Sequence, residues 1–179
     1  YLTRVFITQE VSLEAVGIYS AAFTLSGMFI NFILSAMGAD FYPRLTGIKD
    51  DHGAMAKLVN EQTEIGLLLA VPGLLATLTL SPWIIKLFYT GEFLPAADLL
   101  QWFILGCLGR VITWPMGYIM LALGKGKWFF ATETIFSFLH LGMIWIGLLL
   151  FGLEGVSVAF FVLYVLYFFS VFAVSRLLI

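Results

Sequence analysis

Long apolar runs recur along the chain, separated by short clusters of charged and turn-forming residues. They are Ala15–Ala39, Ile65–Ile85, Leu99–Leu123 with Arg110 as its one charge, Trp128–Phe151 with Glu133 as its one charge, and Gly155–Ser175. Each holds roughly 20 to 25 residues, about 30 Å or more as helix, which matches a hydrocarbon core about 30 Å thick. The pattern predicts an all-α, polytopic membrane helix bundle with five crossing helices. Outer-membrane strands would instead read as segments of about ten residues with alternating polarity, and no such alternation governs these runs.

Composition agrees: 61% of the 179 residues are apolar and 11% are charged, against about 25% charged in ordinary soluble domains. A net charge of -2 leaves no basic surplus for a nucleic acid. The placement of the cations carries more information than their number. Arg44, Lys49, Lys57, Lys125, Lys127 and Arg176 fall in three segments that five crossings put on one side, while Arg4 and Lys86 fall on the other. The positive-inside rule therefore places the first loop, the turn near Lys125 and the C-terminus in the cytoplasm, with Tyr1 outside. Tyr1 is not an initiator Met and the opening lacks the regions of a signal peptide, so the chain reads as part of something longer.

The loop Asp40–Glu64 holds the turn Phe41–Gly47 and then a stretch in which Asp51 is suited to cap a helix showing Ala54, Met55, Leu58 and Val59 on one side. This predicts a helix lying at the cytoplasmic interface, with a solvated extension of the second span as the alternative. Trp83, Tyr89, Trp102 and Trp128 fall near span ends, where amphipathic rings favour the headgroup region.

Polar residues inside the spans are few and ordered. In the first span Ser20, Thr24, Gly27, Asn31, Ser35 and Gly38 follow at steps of 4, 3, 4, 4 and 3, which puts all six on one helix face. Such a stripe is either a close packing seam or the wall of a wet cavity. The third span carries Gly106, Arg110, Thr113 and Gly117, and the fourth answers with Glu133, Ser137 and His140, again on one face. Arg110 and His140 each lie fifteen residues from Lys125, roughly 22 Å along a helix, and become neighbours if the two faces meet. Glu133 is about 10 Å shallower, at the limit of what an Arg side chain can bridge. An Arg in hydrocarbon costs about 3 kcal/mol on insertion scales, so it faces protein or water. Its planar fork of donors suits phosphate oxygens, and the alternative is a structural pairing with Glu133 or backbone carbonyls. Pro72 and Pro115 remove helix hydrogen bonds in mid-span and are the hinge or kink candidates.

No metal-ligand cluster, phosphate-binding Gly loop or nucleophile elbow is present in the sequence. Neither a catalytic residue nor a cofactor or metal is expected. The lone cysteine, Cys107, can form no internal disulfide.

The strings VGIYSAAFTLSG (Val16–Gly27), FYPRL (Phe41–Leu45), SPWIIKLFYTGEFLPAADLL (Ser81–Leu100) and ALGKGKWFF (Ala122–Phe130), in this order and spacing, resemble the C-terminal half of the polysaccharide flippases. These are Wzx-type O-antigen translocases of the multidrug/oligosaccharidyl-lipid/polysaccharide exporter superfamily. The resemblance implies two six-helix lobes around a central cavity, with the five spans standing as helices eight to twelve of twelve. It also implies a bacterial cytoplasmic (inner) membrane location and, as partners, the lipid bilayer and the missing N-terminal lobe. The substrate would be an undecaprenyl-diphosphate-linked oligosaccharide, flipped by alternating access and driven by a proton or sodium gradient. A drug/cation antiporter or a lipid II flippase of the same superfamily, and a non-transporting membrane scaffold, are the rival readings. No substrate residue can be transferred by motif; Arg110, His140, Glu133, Asn31, Ser20, Thr24 and Ser137 are cavity candidates on physical grounds alone.

Overall fold

With no water in a bilayer core to bond its backbone, an apolar run of this length satisfies its own N–H and C=O groups as helix. The computed structural model, which describes residues 2–179 and all their side chains except that of Phe29, follows that rule throughout. Its elements are α1 (Leu2–Glu10), α2 (Leu13–Gly47), α3 (His52–Thr79), α4 (Ser81–Phe88), a 3-10 turn (Gly91–Phe93), α5 (Ala96–Ala122), α6 (Gly126–Phe151) and α7 (Leu153–Leu178). Among the described residues, α2, α3, α5, α6 and α7 are long and apolar enough to cross a membrane. They follow the order of the five expected spans. Tyr1, expected on the outer side, lies outside the described residues.

Two boundaries differ from the sequence reading, and one choice it left open is decided. The expected turn at Phe41–Gly47 is the last part of α2, which continues through Pro43. On either side of Pro43, Phe41 and Leu45 are fully buried, and Arg44 pairs with Asp40 one turn back at 3.1 Å on the exposed face. Of the two readings of the loop helix, the structure has the extension of the second span, as the first part of α3: Asp51 caps it by accepting from the Ala54 N–H at 2.9 Å. Met55, Leu58 and Val59 pack on Phe41, Leu45, Ile119 and Ala122 instead of lying on lipid. The second span also ends early, at Thr79, because Pro82 in the first turn of α4 starts a new helix. Pro72 and Pro115 both lie inside single helices, α3 and α5.

α1 was not foreseen. Its Ile7 is fully buried, and its Phe6 meets Trp145 of α6 edge-on at 5.2 Å.

α5 is the centre of the bundle, packed on α2, α3, α4, α6 and, most extensively, α7. The main core gathers Ile30 and Leu34 of α2, Ala70 and Leu74 of α3, Leu100 and Phe103 of α5, and Val156 and Phe160 of α7. Lipid tails are as apolar as leucine, so close fit rather than hydrophobicity selects such a seam. Gly106 supplies that fit: a Cβ there would run into the Phe160 ring, with the Phe161 backbone 3.4 Å away. At the other end of α7 a single residue, Gly152 at φ +61, turns the chain back on α6, a conformation that favours glycine. Gly147 and Gly155 then touch backbone to backbone.

Candidate functional site

α7 inserts alongside both α5 and α6, whereas α5 and α6 touch each other sparingly. The space left between the three is a cavity of about 390 Å³ whose lining includes Arg110, Thr113, Trp114 and Tyr118 of α5, Phe129, Glu133, Phe136, Ser137 and His140 of α6, and Tyr164 and Tyr167 of α7. Five of the polar residues singled out from the sequence, Arg110, Thr113, Glu133, Ser137 and His140, therefore share one chamber. A second cavity of about 310 Å³ lies between α2 and α5, lined by Asn31, Ser35, Gly38, Arg110, Trp114 and Tyr118 among others. Arg110, Trp114 and Tyr118 belong to both, so the two chambers meet at this stretch of α5.

The stripe on α2 is divided. Asn31, Ser35 and Gly38 line the second cavity, while Ser20 and Thr24 line neither. Nor is the stripe the packing seam. The buried face of α2 runs through Ala15, Tyr19, Ala22, Ser26, Ile30, Ile33, Met37 and Phe41, roughly a third of a turn away around the helix. The polar stripe flanks this contact except at Gly38, whose missing side chain lets the Trp114 ring of α5 approach closely. Ser26 is the buried polar residue of α2, and its hydroxyl is spent on the Phe23 carbonyl at 2.9 Å.

Within the larger chamber the expected Arg110–Glu133 contact is not made. The ion pairs among the described residues are Arg44–Asp40 and Lys57–Glu61, both on exposed helix surface. Glu133 is held instead by α7: the Tyr167 hydroxyl donates to its Oε1. Arg110, half-buried, keeps its guanidinium free of any carboxylate among the described residues. The chamber thus holds one cation and one anion apart. His140 sits at the Arg110 end, its ring 6.0 Å from that of Phe160, and Thr113 turns its hydroxyl back to the Gly109 carbonyl at 3.0 Å.

Sequence reasoning missed the aromatic walls. Phe136 meets Tyr167 edge-on at 5.0 Å, Tyr164 lies 6.2 Å from Tyr167, and Trp114 lies 4.6 Å from Tyr118. The available signal was Tyr164 and Tyr167 at a three-residue step in a span otherwise short of polar atoms, one helix face by the rule applied to the other spans.

A mixed lining of aromatic faces, a guanidinium, a carboxylate, an imidazole and hydroxyls suits a polar ligand with an anionic group, held by placed donors inside an apolar frame. The comparisons with known proteins bear on that ligand. A family model described as polysaccharide biosynthesis protein matches residues 1–98, more than half of the chain. The chain belongs to the polysaccharide biosynthesis protein family. No curated protein and no solved structure matches it. The match spans α1 to α4 and the opening of α5, hence Asn31, Ser35 and Gly38, whereas Arg110 and the α6 and α7 walls lie beyond it. Membership in the polysaccharide biosynthesis protein family, with five span-length apolar helices, makes this a multi-pass membrane protein of polysaccharide biosynthesis.

Proposed function

We propose that this chain is part of the C-terminal lobe of a flippase that moves undecaprenyl-diphosphate-linked oligosaccharides from the cytoplasmic to the outer leaflet of the bacterial inner membrane. It works by alternating access against a missing N-terminal lobe, its five long helices standing as helices eight to twelve of twelve. Either a proton or a sodium gradient drives it. It is a carrier and not an enzyme: the substrate leaves unchanged. The segments carrying Arg44, Lys49, Lys57, Lys125, Lys127 and Arg176 face the cytoplasm.

The observation that carries this reading is Arg110. It is the one basic side chain deep in a span, and it borders two cavities without a carboxylate partner. Leaving a guanidinium unpaired at that depth is expensive, and a diphosphate crossing the same region needs a cation to compensate it. The forked donors match phosphate oxygens in a way a point charge does not. Membership in a polysaccharide biosynthesis family supports a glycan-bearing cargo. The free cation also favours an anionic lipid over the cationic drugs of an antiporter.

The test is export of lipid-linked sugar in cells that depend on this protein. Charge-assisted hydrogen bonds are worth about 1.5–3 kcal/mol each, so Arg110→Ala is expected to cut translocation by roughly 10- to 100-fold while membrane abundance holds. Arg110→Lys should rescue only in part. If Arg110→Ala lowers abundance and export together, and adding Glu133→Gln restores both, Arg110 is a structural residue and the flippase assignment loses its support.

A further inference from the structure

In the larger chamber the carboxylate and the guanidinium are kept apart although both face the same space. Glu133 is oriented by a neutral phenol, Tyr167 on α7, and Arg110 is left free on α5. Arg110 and Glu133 make no ion pair, so neither charge is spent on the other and both remain available to a ligand. A tyrosine clamp instead fixes one carboxylate oxygen and leaves the rest of the group to accept hydrogen bonds from a ligand. Ser137 stands one helical turn from Glu133 on the same face, roughly 6 Å along α6. Phe136 and Tyr167, edge to face at 5.0 Å and 83°, border the same position with flat apolar faces. Acceptors and hydroxyls beside aromatic faces suit a sugar ring, which carries hydroxyls on its rim and C–H bonds on its faces.

Resting on the flippase reading above, we propose that Glu133, Tyr167, Ser137 and Phe136 form a saccharide subsite. It takes an uncharged sugar next to a diphosphate held at Arg110 and rejects an acidic sugar at that position. The rejection is electrostatic: a uronic acid would place its carboxylate against Glu133, and like charges set side by side in a binding site are disfavoured, less strongly than in a closed interior because Glu133 is exposed. The chamber orders its ligand as anion at the Arg110 and His140 end, neutral sugar at the Glu133 end.

The experiment uses the intact protein in proteoliposomes and two probes that differ only in one sugar, citronellyl-diphosphate N-acetylglucosamine and citronellyl-diphosphate glucuronic acid. Binding of each is measured for wild type, Glu133→Gln, Tyr167→Phe and Arg110→Ala. Wild type is expected to prefer the neutral probe by about tenfold or more. Glu133→Gln, nearly isosteric, should erase most of that preference by admitting the acidic probe, and Tyr167→Phe should reduce it by freeing the carboxylate. Arg110→Ala should weaken both probes alike. If Arg110→Ala weakens both while Glu133→Gln leaves the ratio unchanged, the saccharide subsite is wrong and the flippase reading stands. If wild type binds neither probe, or Arg110→Ala affects neither, the flippase reading itself fails and takes the subsite with it.

Discussion

Gly106 shows how much one missing methyl decides in a membrane bundle. It lies where α5 and α7 come closest, and a side chain there meets the Phe160 ring with the Phe161 backbone close behind. Overpacking of this kind costs about 1–3 kcal/mol, so Gly106→Val is expected to lower the thermal midpoint in detergent and to reduce membrane abundance. Adding Phe160→Leu should recover part of the loss, because it returns the space that the valine takes. A Gly106→Val protein as stable as wild type would mean that α7 does not sit against α5 as described. The same contact places Tyr164, one helical turn beyond Phe160, at the cavity wall. Gly106 therefore positions the site without touching it.

At the scale of elements, α3 poses a sharper question than its length suggests. The sequence allows its first turns to be either an interfacial helix or a solvated extension of the second span, and they are the extension, with an apolar side packed on α2 and α5. The choice is decided by what covers Met55, Leu58 and Val59, and protein covers them. In a Cys107→Ala background, Met55→Cys is expected to resist a water-soluble maleimide while Lys57→Cys, on the exposed side of the same helix, labels readily. Equal labelling of the two would return this segment to the membrane surface. The start of the helix depends on Asp51, whose side chain accepts the Ala54 N–H. Removing such a cap costs about 1 kcal/mol, so Asp51→Ala should raise amide hydrogen exchange in the first turn of α3 and leave that of α5 unchanged.

Across the whole molecule, the polar cavities inside an apolar bundle make a prediction of their own. If the chambers are wet, single cysteines at Ser137 and Asn31 in the Cys107→Ala background should react with a water-borne maleimide, while cysteines at Leu149 and Phe169, exposed on apolar faces, should not. Failure of both Ser137→Cys and Asn31→Cys to react would make the chambers dry seams and would favour a scaffold over a transporter. The number and order of the crossing helices were legible in the chain, because a long apolar run in a bilayer has one way to satisfy its backbone and the charges that interrupt it mark its ends. The same economy exposed Arg110, Glu133, Ser137 and His140: polar atoms are so rare in these spans that each stands out. Neighbourhood was not legible. Hydrophobicity does not say which face of a membrane helix turns inward, since lipid and protein interior are equally apolar, so the polar stripe of α2 could not be told from its packing face. The insertion of α7 beside both α5 and α6, the hold of Tyr167 on Glu133 and the resulting freedom of Arg110 were decided by close fit between helix surfaces, at Gly106 on Phe160 and Gly147 on Gly155. Fit is a property of surfaces brought together in space, and it is therefore the tertiary structure, not the sequence pattern, that turned a set of isolated polar residues into a chamber with a cation at one end and an anion at the other.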